Sequence, residues 1–232
     1  MASTPILMIP GLSATPRAFH PEIETLYRHG PVMFANHRQG NTMKDIAAAI
    51  LRDAPPSFVL GGFSMGGYIA FEIMRRAPER VTRLMLIDTS ARADTPEATE
   101  RRKTGMEFAR ADKLALAAAA SFPTAVHPDH AENSELRAIH LDMAMHTGPD
   151  AYIRQQEAII GRPSSIPVLK TIKVPTLVLV GDKDQITPPE VAKEMADGIA
   201  GAKLVIVEGA GHLALLEQPD RMNAALQDFL AA

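Results

Sequence analysis

One pentapeptide, Gly62-Phe63-Ser64-Met65-Gly66, restricts this chain more than any other segment. It stands between a strand-like run, Ser57-Phe58-Val59-Leu60, and a helix-like stretch from Met65 to about Ala77 that Pro78 ends. A serine between glycines at a strand-to-helix turn holds its hydroxyl exposed above a parallel sheet. At this chain's glycine and serine content, chance supplies roughly 0.04 such matches. The competing reading is an ordinary glycine-rich turn of a parallel α/β protein. The strand before and the helix after favour a nucleophilic hydroxyl.

The rest of the chain has the periodicity such a turn requires. Short apolar runs at 6–9, 32–35, 84–87, 176–180 and 204–207 read as strands buried on both faces of a parallel sheet. Thr42 reads as a helix N-cap, with Asp45 three residues on and Ile46, Ala49 and Ile50 sharing a face. A last helix is expected at about 220–230. Strands alternating with helices predict an α/β fold, a doubly wound and mostly parallel sheet. Residues 92–170 break the alternation with charged segments and an alanine-rich run from Leu114 to Ala120. They read as three or four helices inserted between strands. An insertion after a strand's C-terminal end lies on the ligand-binding edge of such sheets, so a cap or lid is expected there. The expected organisation is a core of 1–91 and 171–232 with a helical cap at 92–170.

Composition narrows the partners. Hydrophobic residues make up 46 % of the 232, ample for a core, and the net charge is −3. That charge offers no electrostatic case for nucleic acid or an anionic membrane. Cysteine is absent, which rules out disulfides and thiolate chemistry. The N-terminus lacks a basic leader region, and the apolar run at 6–9 is too short for a membrane span. A soluble, cytoplasmic protein is expected, without metal or cofactor, its oligomeric state open. The serine turn carries neither G-x-G-x-x-G nor a Walker lysine, which disfavours a nucleotide site.

A serine hydroxyl needs a base to take its proton and a group to orient that base. His212, in Gly209-Ala210-Gly211-His212 just past the run at 204–207, is the best base. The other seven histidines precede the serine or fall in the inserted segment, where solvated or core roles suit them better. In His127-Pro128-Asp129-His130, the intervening proline and lack of a nearby third ligand argue against a metal site. The acid is Asp182 or Asp184 in Gly181-Asp182-Lys183-Asp184, and spacing alone barely separates the two. An oxyanion needs two convergent backbone N–H groups; Met65, after the serine, and Leu12, after Pro10-Gly11, are placed to supply them.

Together these motifs resemble the α/β-hydrolase superfamily. The order Ser64, Asp, His212 is similar to its chain order. Gly181-Asp182-Lys183-Asp184 with Pro188 resembles its acid turn, which implies Asp184 as the acid. Gly211-His212 with Glu217 and Pro219 resembles its histidine loop. The resemblance covers about 1–90 and 171–232. Pro10 stands where the family commonly has His, and Asn36-His37-Arg38-Gln39-Gly40 replaces its usual D-x-R-G-x-G loop. The chain opens on what resembles the family's third strand, implying a compact six-strand core.

The resemblance implies ester hydrolysis through an acyl-enzyme, with Ser64 as nucleophile, His212 as base and Asp184 as orienter. A small-molecule, ester-like substrate is expected in a mostly apolar pocket built from Leu12, Phe19, Met65 and the cap residues Met106, Met143 and Met145. The same three residues could instead serve C–C bond hydrolysis, lactone opening, amide cleavage, perhydrolysis or a lyase step resembling menaquinone biosynthesis. A small-molecule receptor with slow turnover is a further alternative.

Overall fold

The computed structural model describes residues 3–232. Six strands form one sheet: β1 (Ile6–Ile9), β2 (Val32–Phe34), β3 (Phe58–Phe63), β4 (Val81–Ile87), β5 (Thr176–Gly181) and β6 (Lys203–Val207). Their order is β2-β1-β3-β4-β5-β6, and every neighbouring pair is parallel. The α/β fold read from the sequence is the observed one.

Strand alternation divides the core into two layers. Leu7, Ile9, Val178 and Val180 face one side with Ile46, Ile69 and Met195 from the helices Met43–Asp53, Met65–Arg76 and Pro189–Gly198. Ile6, Met8, Leu177 and Leu179 face the other with Phe19 and with Met222 and Leu226 of the helix Pro219–Ala231. Each central strand is therefore apolar on both faces, which is why these runs are continuous rather than alternating. Thr42 caps its helix as expected: its hydroxyl oxygen accepts from Asp45 N at 3.1 Å and its O–H donates to the Asp45 carboxylate at 2.7 Å.

The boundaries shift in instructive ways. β3 runs on through Gly61 and Gly62 to Phe63, so the strand delivers Ser64 directly to the sheet edge. Between β4 and β5 lie five α-helices, not three or four: Pro96–Arg110, Leu114–Ala125, Ser134–Thr147, Pro149–Ile160 and the single turn Ile166–Leu169. The last is too short for helical periodicity to register. Among the described residues no helix is long and apolar enough to cross a membrane.

Candidate active site

Ser64 has φ 52° and ψ −115°, a left-handed conformation that costs a β-carbon-bearing residue on the order of 1–3 kcal/mol. The surroundings hold it there. Ser64 N–H donates to Ile87 O at 2.9 Å, and Ser64 O accepts from Gly67 N at 2.9 Å and from the Thr89 hydroxyl at 2.8 Å. The two glycines of the pentapeptide are there for space. A β-carbon on Gly66 would lie 2.0 Å from Ile9 O, and one on Gly62 would lie 2.5 Å from the Gly66 backbone.

The loops after β5 and β6 bring Asp184 and His212 to this serine. Ser64 O–H donates to His212 Nε2 at 2.8 Å, and His212 Nδ1–H donates to Asp184 Oδ2 at 2.8 Å. Asp184 also accepts from Ile186 N at 2.8 Å, Thr187 N at 2.9 Å and the Thr187 hydroxyl at 2.7 Å. Burial opposes its ionisation, but His212 and the Thr187 donors outweigh that and hold its carboxyl below the usual range. Of the two aspartates, Asp184 is the one hydrogen-bonded to His212. Asp182 points the other way, accepting from Gly209 N at 2.8 Å and Ala210 N at 3.1 Å, and so shapes the loop that carries His212.

Glu217 fastens that loop to the inserted segment. Its side chain is fully buried; Oε1 accepts from Gly211 N at 2.8 Å, and Oε2 accepts from His127 N at 2.6 Å and His130 Nδ1–H at 2.8 Å. His127 and His130 thus serve a carboxylate bridge. Asp88, at the end of β4, accepts from Gly181 N at 2.9 Å; burial first, then the charge of Asp184, raises its carboxyl well above the ordinary range.

The loop after β1 passes close to the serine. A β-carbon on Gly11 would lie 3.1 Å from Ser64 Cβ. Among the described residues, the N–H groups of Leu12 and Met65 enter none of the loop and turn hydrogen bonds. Met65 opens its helix, where an N–H has no intrahelical acceptor. The peptide between Gly11 and Leu12 is pinned from behind: His37 Nε2–H donates to Gly11 O at 2.9 Å. Because carbonyl and N–H of one peptide point in opposite directions, this bond aims Leu12 N–H away from His37. Burial pushes His37 down to about 4, so it stays neutral. Sequence reasoning assigned His37 a core or solvated role and missed this one.

A cavity of about 170 Å³ opens over Ser64 and His212, between the sheet edge and the inserted helices. Leu12 and Met143 line it as expected, joined by Phe63, Tyr152, Ile186 and Leu213. Its roof includes Ala117, Ala118, Ser121 and Ala125, one face of the alanine-rich helix, whose small side chains leave the space open. Four other expected pocket residues are elsewhere. Phe19 is fully buried beneath the site, stacked on Phe34 at 5.7 Å and edge-on to Phe63 at 6.3 Å. Met65 is fully buried in the layer with Leu7, Ile9 and Ile69 and does not line the cavity. Met106 is buried but lies outside the cavity wall. Met145 is 51 % exposed, because two residues along a helix from Met143 puts it on the opposite face. Arg102 and His140, which sequence reasoning did not single out, do line the cavity.

The fold and this hydrogen-bonded edge define a class. The model of the alpha/beta hydrolase family matches residues 6–225, and the chain belongs to that family. It is similar to an esterase from Thermogutta terrifontis, with 29 % identity, 99 % of this chain and 90 % of that one covered, and a TM-score of 0.89. It is also similar to the enol-lactonase from Burkholderia xenovorans LB400, with 26 % identity, 100 % and 93 % covered, and a TM-score of 0.89. A curated relative, the pimeloyl-[acyl-carrier protein] methyl ester esterase of Neisseria meningitidis, is 28 % identical over 87 % of this chain and 79 % of its own length.

Proposed function

We propose that the chain hydrolyses small carboxylic esters or lactones through an acyl-enzyme on Ser64. The observation that carries this reading is the unbroken line of hydrogen bonds from Ser64 through His212 to Asp184, beneath a small, mostly apolar cavity. Ser64 Oγ attacks the carbonyl carbon while His212 Nε2 takes the hydroxyl proton. Asp184 holds the imidazole in the tautomer that leaves Nε2 free and stabilises the imidazolium once formed. Leu12 and Met65 N–H groups receive the developing oxyanion, each worth about 3 kcal/mol of barrier lowering. His212 returns the proton to the leaving oxygen as the C–O bond breaks. Water, deprotonated by His212, then releases the acid and regenerates Ser64. Residues 92–170 act as the cap that excludes bulk water and limits substrate size.

Likeness to an esterase and a lactonase supports carbonyl–oxygen bonds as the target; the lactone version needs the same atoms, the leaving alkoxide remaining tethered to the acyl group. A fluorophosphonate probe and a panel of short esters and lactones test this. A Ser64 adduct and turnover that Ser64→Ala abolishes are expected; turnover persisting in Ser64→Ala would overturn it.

A further inference from the structure

The inserted helices carry a cationic cluster on the cavity wall that the hydrolytic relay does not use. Asp94 is almost completely buried and serves two guanidinium groups. Arg102 Nε donates to its oxygens at 3.1 and 3.2 Å, and Arg162 Nη1 donates at 3.0 Å. Among the described residues no second carboxylate lies within ion-pair distance of either arginine. Two positive groups share one negative group, leaving one net positive charge. Arg162 spends its remaining reach on Ile159 O, Arg92 O and the face of Tyr68, 4.2 Å from the ring centre. Arg102 faces the cavity.

The hydrogen-bond bookkeeping around Arg102 points the same way. Its Nη1 donates to Gln156 Oε1 at 3.0 Å, and Gln156 Nε2 donates to Tyr152 OH at 2.8 Å. Nη2 of Arg102 has no partner among the described residues, and the Tyr152 hydroxyl, already accepting, has a proton with no acceptor. Both side chains line the cavity. Ser13 Oγ, on the same lining, is buried without a partner. Two free donors, on Arg102 and Tyr152, thus belong to the wall of one small, mostly apolar space beside an uncompensated positive charge. A partly desolvated guanidinium with free N–H groups is the arrangement that recognises carboxylate.

We infer that the cavity reads an anion, and that the substrate is an ester or lactone bearing one carboxylate, bound by Arg102 Nη2 and Tyr152 O–H. The single net charge matches a monoanion better than a phosphate dianion, and about 170 Å³ suits a short chain. This inference rests on the hydrolytic reading for its reaction and on the cap alone for its specificity.

The test compares methyl half-esters of succinic, glutaric and adipic acids with methyl esters in which an isopropyl group replaces the free carboxylate. A second pair places the carboxylate on the alcohol side, as acetylated glycolate against isobutyl acetate. Turnover is followed by proton release. At least one anionic ester should exceed its neutral isostere about tenfold or more in kcat/KM, the scale of a hydrogen bond to a charged group. Within Arg102→Met that ratio should fall to near one, and Arg102→Lys should restore part of it. Because each ratio is taken within one variant, a general loss of activity cancels. If Arg102→Met does not fold, Tyr152→Phe should lower the ratio by a smaller factor. No anionic preference in the unaltered protein, or one unchanged in the variants, overturns the inference. Absence of any Ser64-dependent turnover overturns the hydrolytic reading instead. Calorimetric binding of glutarate, lost in Arg102→Met, would then still report on the anion site, and no binding would sink both.

Discussion

The sheet edge and the inserted helices treat their polar groups in opposite ways. At the edge the carboxylates that hold the loops are filled from inside the protein: Asp184 accepts four hydrogen bonds, Asp182 two and Glu217 three. On the inserted helices, Arg102 and Tyr152 line the cavity with donors to spare. A relay that must hold a proton path within tenths of an ångström is over-determined by its neighbours. A wall that must accept a changing ligand keeps its bonding capacity open until the ligand arrives. The contrast predicts that edge substitutions damage turnover and stability, while cap substitutions redistribute preference among substrates.

The largest expected effect breaks the relay at its start. Ser64→Ala should lower kcat by at least about 10⁴-fold, with an unchanged circular dichroism spectrum; a loss below tenfold would remove the serine from the chemistry. Next, Asp184→Asn should cost about 10³–10⁴-fold in kcat by leaving His212 in the wrong tautomer. Asp182→Asn should act mainly on stability, by about 1–2 kcal/mol, because it loosens the loop without touching the imidazole. Equal kinetic losses in the two variants would show that the edge does not separate orienting from scaffolding.

A pH experiment addresses the support behind Leu12. His37 falls from 6.5 to about 4 on folding, so between those values the unfolded chain binds more protons. Its contribution is present in full above pH 6.5 and is lost as pH drops toward 4, amounting to about 3 kcal/mol. Denaturant titrations of the protein and of His37→Gln should diverge in that window, with the variant showing the flatter profile. Parallel profiles would mean that His37 is not held neutral. The smallest effect separates two methionines on one helix. Met143→Ala should change KM for short esters severalfold, whereas Met145→Ala, on the exposed face, should stay within about 0.5 kcal/mol in stability and leave KM unaltered.

Much of this architecture was legible in the residues. Continuous apolar runs marked all six strands; the inner strands are covered on both faces and leave no polar alternation, while the edge strand β6 keeps an apolar run although Ile206 is exposed. Ser64, Asp184 and His212 were legible because each follows a strand and their order is that of a known family. The pocket was not. Met106 and Met145 were named for their residue type and their place in the insertion, but a helix has two faces and type does not say which one looks inward. The alanine run read only as part of the helical insertion, although its small side chains line the cavity and leave it room.

Local sequence by itself determined the fold class, the serine turn, Ser64 and His212, and narrowed the acid to Asp182 or Asp184. Those depend on short-range patterns: two-residue and 3.6-residue periodicity, glycines where a β-carbon cannot fit, and turn residues after strands. Only the tertiary structure decided that His37 pins Gly11, that Glu217 joins the histidine loop to His127 and His130, and that Arg102 faces the cavity with charge unmatched. These partners are separated by tens of residues, and hydrogen bonds and charge balance depend on distance in space, which spacing along the chain does not encode.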